Sequence, residues 1–237
     1  MNKIVVILPT YNEKGNVEPM TTQILQQNDG IDVLIIDDNS PDGTGEIAKK
    51  LSESNPRVKF ISRPGKLGLG SAYYKGFRYG YDNGYDYIFS IDSDFSHDPK
   101  YLPEMIAAMD NGADLTVGSR YVPGGGTKNW PLHRRLLSKF ANIYVKTFTR
   151  GVVNDNTAGY VGIKREVIPN ISLERIKCEG YAYQIELKYR IAKKKYKVHE
   201  VPIVFVERVY GQSKISKNII FEAFLTVIRI GLFGVKY

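Results

Sequence analysis

Five short apolar runs, near residues 3–9, 31–37, 57–62, 85–91 and 113–118, alternate with longer amphipathic stretches near 16–28, 43–54, 70–82 and 99–110. Runs that are apolar throughout suit strands buried on both faces, and a helix between two such strands carries the chain back to begin a parallel one. The alternation therefore predicts an α/β fold built on a mostly parallel, Rossmann-like sheet with helices on both faces. Gly68-Leu69-Gly70 opens the third helix and Asn111-Gly112 closes the fourth. Beyond residue 119 the pattern loosens. Residues 119–130 carry Gly124-Gly125-Gly126 and read as a flexible loop, and helical patterns near 132–149, 179–194 and 218–233 frame a short strand around 198–205. No repeat or linker divides the chain, so a single domain is expected over residues 1–237.

Ligands of open α/β sheets sit at the carboxyl ends of the strands. There, Ile91-Asp92-Ser93-Asp94-Phe95-Ser96-His97-Asp98-Pro99 follows the apolar run Tyr87-Ile88-Phe89-Ser90. Alternate residues of a strand point the same way, so Asp92 and Asp94 are expected to place two carboxylates on one side. Like charges so close repel, which calls for a cation between them. Hard oxygen ligands in an open site suit Mg²⁺ or Mn²⁺ shared with a substrate's phosphates. A polar strand-to-helix turn capped by Ser96 or Asp98 would use the same residue types, and Asp-x-Asp alone is common.

Three neighbouring segments fall on the same rim: Pro9-Thr10-Tyr11-Asn12-Glu13, Asp37-Asp38-Asn39-Ser40-Pro41-Asp42-Gly43-Thr44 and Gly118-Ser119-Arg120-Tyr121. Each taken singly is ordinary turn chemistry. Together they supply an aromatic ring for a base or ribose at Tyr11, acceptors at Asp37 or Asp38, and a phosphate partner at Arg120. No Gly-x-Gly-x-x-Gly follows the first strand and no Gly-x-x-x-x-Gly-Lys-Ser/Thr occurs, which argues against a dinucleotide oxidoreductase and a P-loop enzyme.

The 43% hydrophobic and 24% charged residues argue against general disorder. The single cysteine, Cys178, excludes an internal disulfide and a cysteine-rich zinc site, and suits the reducing cytoplasm. The apolar run at residues 4–8 is too short for a signal peptide and breaks at Pro9, so it is read as the first strand. The formal charge of +8 fits phosphorylated or anionic partners, but no nucleic-acid module accompanies it. Lys193-Lys194-Lys195 with Lys197 is read as the solvated end of a helix.

With Gly68-Leu69-Gly70 and Asp92-x-Asp94-x-Ser96-His97, these rim segments resemble family 2 glycosyltransferases of the GT-A fold. More narrowly they resemble dolichol-phosphate (polyprenol-phosphate) mannose synthases. Glu179-Gly180-Tyr181-x-x-Gln184-x-Glu186 and Arg208-Val209-Tyr210-Gly211-x-Ser213-Lys214 are the more diagnostic motifs, and the resemblance spans roughly residues 3–235. It implies that Pro9, Tyr11, Glu13, Ile36 and Asp38 bind the nucleoside. Asp92, Ser93 and Asp94 would lie at the diphosphate, with Asp94 and Ser96 on the metal. Arg120, Arg208 and Lys214 would hold phosphates. One departure follows Asp155-x-Thr157: the family's aromatic-arginine pair is here Tyr160-Val161, leaving Lys164 and Arg165 as nearby cations to compensate.

The implied reaction is inverting transfer of mannose from GDP-mannose to dolichyl or polyprenyl phosphate. The same machinery using UDP-glucose is the nearest alternative, and a non-catalytic nucleotide-binding subunit is an alternative of another class. Residues 3–130 would form the nucleotide-sugar and metal half, and residues 131–237 the acceptor half. The lipid acceptor implies a membrane surface, a peripheral location on its cytoplasmic face, and room for a small membrane-anchoring protein; nucleic acid is not expected. The segment 218–233 is too short and too charged to span, and its Glu222, Thr226 and Arg229 fall on one stripe of a helix. It is read either as an interfacial helix or as a core helix packed on the sheet. Residues 132–149 set Leu136, Leu137, Phe140, Ile143 and Phe148 among Arg134, Arg135 and Lys139, a basic amphipathic pattern suited to lipid phosphate. Arg134 and Arg135 are the candidate acceptor-phosphate residues. Arg208 and Lys214 share a loop expected to close over the loaded site.

Overall fold

A computed structural model describes residues 2–149, 151, 153–207 and 217–236, with backbone alone for 217–220. The first half follows the expected alternation: β1 (Ile4–Thr10), α1 (Val17–Leu25), β2 (Ile31–Asp37), α2 (Thr44–Ser54), β3 (Val58–Ser62), α3 (Leu69–Asp82), β4 (Tyr87–Ser90), α4 (Leu102–Asp110) and β5 (Leu115–Ser119). The second half adds β6 (Gly126–Lys128), α5 (Leu132–Thr149), β7 (Val161–Lys164), α6 (Gly180–Lys193), β8 (Val198–Pro202), β9 (Val204–Val206) and α7 (Lys217–Phe233).

The main sheet has the order β3-β2-β1-β4-β7-β5-β8, and every neighbour pairing is parallel except those of β7. Side-chain alternation sorts the core onto the two faces. Val5, Ile7, Leu34 and Ile36 meet Ala72, Tyr73 and Phe77 of α3 and Tyr183 and Leu187 of α6. Ile4, Val6, Leu8, Val33 and Ile35 meet Met20 and Ile24 of α1, Ala48 of α2 and Met105 of α4.

Three features differ from expectation. First, β7 enters the middle of the sheet antiparallel, between β4 and β5, with Ser90 opposite Val161 and Tyr87 opposite Lys164. A four-residue run beginning just after Gly159 has too little periodicity to announce itself. Second, the strand expected near 198–205 is two strands, because β8 extends the main sheet while β9 pairs with β6 in a small second sheet. Third, the glycine-rich segment 119–130 is therefore not a free loop: Gly126 donates its N–H to Ile203 O at 2.9 Å and begins β6.

β7 has a consequence for packing. A Cβ on Gly162 would lie 2.2 Å from the Phe89 ring and 2.7 Å from Thr116 Oγ1, both wholly buried on the flanking strands. Only glycine lets β4, β7 and β5 sit at this spacing. Gly162→Ala is expected to destabilise the fold by about 1–3 kcal/mol through overpacking, read as a lower urea midpoint at unchanged slope.

Candidate active site

β4 stops at Ser90, and the chain turns through Ile91–Asp98 with Phe95 at a left-handed φ of 61°. The same-side argument for Asp92 and Asp94 therefore fails, since strand alternation ends before them. The two carboxylates have different surroundings instead. Asp92 is gripped from two sides: Tyr73 Oη donates to its Oδ1 at 3.2 Å, and His97 Nδ1 lies 3.2 Å from its Oδ2. Asp94 is buried and accepts the Ser96 N–H at 3.0 Å. That turn leaves Ser96 Oγ buried with no hydrogen-bond partner among the described residues. An orphaned hydroxyl costs about 1–3 kcal/mol unless something binds it. A carboxylate beside a free hydroxyl is an oxygen donor set that a hard divalent cation fits. The described residues contain no cluster of three or more His, Cys, Asp or Glu that would enclose a metal, so substrate phosphates would have to complete its shell.

The residues expected at the nucleoside line the ends of adjoining strands, where Pro9 of β1 pairs with Ile36 of β2. Ile36 is wholly buried in the core facing α3, so its side chain is unavailable and only its backbone reaches the rim. Tyr11 is half-buried, with Lys66 Nζ 4.8 Å from its ring centroid. Glu13 is buried and accepts from Asn16 Nδ2 at 2.8 Å. Asp37 is spent on internal bracing, taking Thr10 Oγ1 at 2.9 Å and Ser40 Oγ at 2.6 Å. Asp38 is ion-paired with Arg63, which also donates to Ser71 Oγ at 2.6 Å and Gly68 O at 2.9 Å.

Gly68-Leu69-Gly70 owes its glycines to a close approach. Glu179 accepts the Gly70 N–H at 2.6 Å, and a Cβ on Gly68, whose φ is 93°, would fall 2.5 Å from that carboxylate. Burial raises the Glu179 pKa from its ordinary value, although the backbone donors it meets pull the other way.

At the end of β5, Arg120 is buried and forks onto Asp155, with Nε–Oδ2 and Nη2–Oδ1 both 2.7 Å, while its backbone N–H donates to Oδ2 at 3.0 Å. Burial alone would raise Asp155, but the Arg120 guanidinium holds it below the usual carboxylate range. The remaining Arg120 surface lies among aromatic rings, 5.3 Å from the Trp130 centroid and 5.4 Å from that of Phe205. Phe205 also meets His97 edge-on at 5.0 Å, so one ring joins the Arg120 side of the site to the Asp92 side. Lys164 and Arg165 do not compensate for Val161. They sit at the opposite end of β7, where Lys164 pairs with Asp114 and Arg165 Nε donates to Tyr81 O at 3.0 Å. Arg208, Lys214 and the loop expected to close lie outside the described residues.

Arg134 stacks on Trp130, with its Cζ 4.4 Å from the ring centroid, and is ion-paired with Glu207, whereas Arg135 is exposed. Along α5 only Asn142, Val145 and Thr149 are buried. Leu132, Leu136, Leu137, Phe140, Ile143 and Phe148 are exposed, as are Phe221, Phe224, Leu225, Leu232 and Phe233 of α7. Tyr144 stacks on Phe224 at 5.1 Å, which joins the two helices into one apolar surface. The polar stripe of α7 faces the protein. Glu222 accepts the Glu179 N–H at 3.0 Å, Thr226 is buried, and Arg229 Nη2 donates to Glu186 at 2.6 Å. One face of this helix is a core face, with Val227 and Ile230 packed on α5 and α6 rather than on the sheet, and its opposite face is apolar and exposed. No helix among the described residues is long and apolar enough to cross a membrane.

Four residues of the site carried no role in the sequence. Tyr73, Arg63 and Asp155 act through partners 19 to 35 positions away, a separation without a local signal. His97 did stand in the acidic motif, but with no neighbour in sequence to suggest its ring.

Residues 5–171 match the Glycosyl transferase family 2. The chain is 43% identical to the polyprenol monophosphomannose synthase of Mycolicibacterium smegmatis, covering 98% of this chain and 88% of that protein. It is 40% identical to the undecaprenyl-phosphate mannosyltransferase of Micrococcus luteus, covering 97% and 94% respectively. Among solved structures, glucosyl-3-phosphoglycerate synthase from Mycobacterium tuberculosis, in complex with Mn²⁺, uridine diphosphate and glucosyl-3-phosphoglycerate, superposes with a TM-score of 0.69 at 16% identity. That match covers 100% of this chain and 81% of the other. The acidic loop at the end of β4, the parallel sheet with its one reversed strand, and these matches agree: the chain belongs to glycosyl transferase family 2 and is a glycosyltransferase of the GT-A fold.

Proposed function

We propose that this enzyme transfers mannose from GDP-mannose to a polyprenyl or dolichyl phosphate at the cytoplasmic face of a membrane, inverting the anomeric centre. One observation carries the reading. The exposed apolar surface of α5 and α7 begins beside Trp130 and Arg134, next to the Arg120 rim, so a lipid chain and its phosphate would meet the site together. The names of the M. smegmatis and M. luteus relatives agree with such an acceptor.

The chemistry follows from charge. A phosphate monoester with a second pKa near 6 is largely ionised at neutral pH, so the acceptor needs no general base. Its oxygen attacks the anomeric carbon as the bond to the nucleoside diphosphate breaks, and the electron pair leaves on the diphosphate oxygen. Mg²⁺ or Mn²⁺ held by Asp94 and Ser96 would supply charge neutralisation for that leaving group. Asp92, fixed by Tyr73 and His97, offers its remaining lone pairs to hydroxyls of the donor. Arg120, Arg208 and Lys214 would face the diphosphate, and Arg134 and Arg135 the acceptor phosphate. Pro9, Tyr11, Glu13, Asp38 and the Ile36 backbone would hold the nucleoside. None of these groups selects guanine by its chemistry, and a UDP complex of the structural neighbour keeps UDP-glucose as the second reading.

Purified protein, Mn²⁺ and polyprenyl phosphate should move label from GDP-mannose, and not from UDP-glucose, into the lipid phase. Asp94→Ala is expected to lower kcat/KM by about 10²–10³-fold, the loss of one leaving-group stabiliser. Transfer from UDP-glucose alone would reverse the donor assignment, and full activity in excess EDTA would remove the metal. For the membrane surface, Phe140→Asp with Phe221→Asp changes two exposed side chains, 66% and 62% accessible, and so spares the fold. Each loses about 1.5–3 kcal/mol of apolar burial, so sedimentation with anionic vesicles should fall at least about tenfold. Unchanged sedimentation would show that lipid does not cover this face.

A further inference from the structure

Within α6 every residue from Ala182 to Ile191 is buried, and Lys188 is among them at 1% exposure. Among the described residues no carboxylate is bonded to its ammonium. Nζ donates to Ala158 O at 2.6 Å and Asn156 O at 3.1 Å, with Gln184 Oε1 at 3.4 Å. Burial pulls this group down to about 7, with Asp155 opposing the shift and Arg120 adding to it. A buried cation is costly, and a methionine would fill the space without that cost. The return lies in what its hydrogen bonds hold.

Residues 154–158 have no regular structure, yet they are braced from three elements. Glu200 of β8 accepts the N–H groups of Asn154 at 2.8 Å and Asp155 at 3.0 Å. Asn142 of α5 accepts that of Asn156 at 2.7 Å. Lys188 takes the carbonyls, which Glu200 as a carboxylate cannot satisfy and which Asn142, donating instead to Ser138 O, does not. The braced segment touches both halves of the site. Asp155 forks onto Arg120, and a Cβ on Gly159 would lie 3.4 Å from Asp92 Oδ1, so the backbone there forms the floor beneath Asp92.

We propose that Lys188 is a positioning residue for sugar transfer: by holding the carbonyls of Asn156 and Ala158 it fixes the segment that carries Asp155, and through Asp155 it sets the Arg120 guanidinium at the rim. The inference rests on the reading of Arg120 as a cation facing the donor's phosphates. It requires that loss of the ammonium act on catalysis through Arg120 and in no other way.

A double-mutant cycle in the intact protein tests this, using Lys188→Met, Arg120→Ala and the pair, with kcat, donor KM and thermal midpoint measured for each. Lys188→Met should lower kcat about 10–100-fold, the range that small misplacements cost, and shift donor KM less than twofold. In the Arg120→Ala background the same change should alter kcat less than twofold. An equal fractional loss in both backgrounds would overturn the inference, because a general structural role is additive. Wild-type kcat in a folded Lys188→Met protein would overturn it also. If Lys188→Met does not fold, Lys188→Gln, whose amide is polar enough for burial but whose shorter side chain cannot reach both carbonyls, is judged by the same criteria. Arg120→Ala with wild-type kcat would remove Arg120 from the site and the inference with it. A severe Arg120→Ala defect beside a silent Lys188 change would sink the inference alone.

Discussion

The buried pair of Arg120 and Asp155 is the constraint on which the rest of the site depends. Taking both charges out of water costs several kcal/mol per ion, and only a two-pronged geometry with every remaining atom hydrogen-bonded repays it. Arg120 and Asp155 answer that cost with two 2.7 Å contacts, a third from the Arg120 backbone and a fourth from Arg120 Nη2 to Thr157 Oγ1. Satisfying it recruits β8 through Glu200, α5 through Asn142 and α6 through Lys188. The last turn of β5, an irregular segment and three surrounding elements are thereby fixed relative to one another. In the proposed site, a cation held so firmly would lose little entropy when a phosphate arrives, which is the benefit of preorganisation.

The reversed strand β7 makes this arrangement possible. Because it runs against β4, its start at Val161 lies beside Ser90 at the carboxyl end of that strand. The segment leading into it must then cross the rim, carrying Asp155, Thr157 and Gly159 past Arg120 and Asp92. A parallel strand would have entered at the other end, and no loop would have run beneath the acidic turn. The nearly absent side chain at Gly162 is the packing condition for the reversal.

Sequence disclosed the parts of the fold whose signal is local. β1, β2 and β4 are mostly apolar because helices cover both faces, while the edge strand β3 with Lys59 is only partly buried, and α1 to α4 carry one-sided stripes against the sheet. The rim positions of Tyr11, Glu13, Asp38, Asp94 and Arg120 followed from strand ends alone. What stayed hidden was set by distant partners. The polar stripe of α7 was visible, yet whether it faced water or protein depended on Glu179 and Glu186, some 43 residues earlier. Lys188 and Arg63 are ordinary cations in sequence, and only the carbonyls and carboxylate they meet give them a role. Asp92 and Asp94 were expected to act alike by strand periodicity, but the left-handed turn at Phe95 gives one of them ring partners and the other a free hydroxyl neighbour.

In the proposed enzyme the turn after β4 would seat a divalent cation through Asp94 and Ser96, beneath the diphosphate of a sugar nucleotide. A crystal structure of the protein with GDP and Mn²⁺, with anomalous data collected at the manganese edge, is the decisive experiment. One strong anomalous peak is expected within bonding distance of an Asp94 carboxylate oxygen and of Ser96 Oγ, shared with diphosphate oxygens. A peak bound elsewhere, or a diphosphate seated on the rim with Ser96 Oγ still unpartnered, would contradict it.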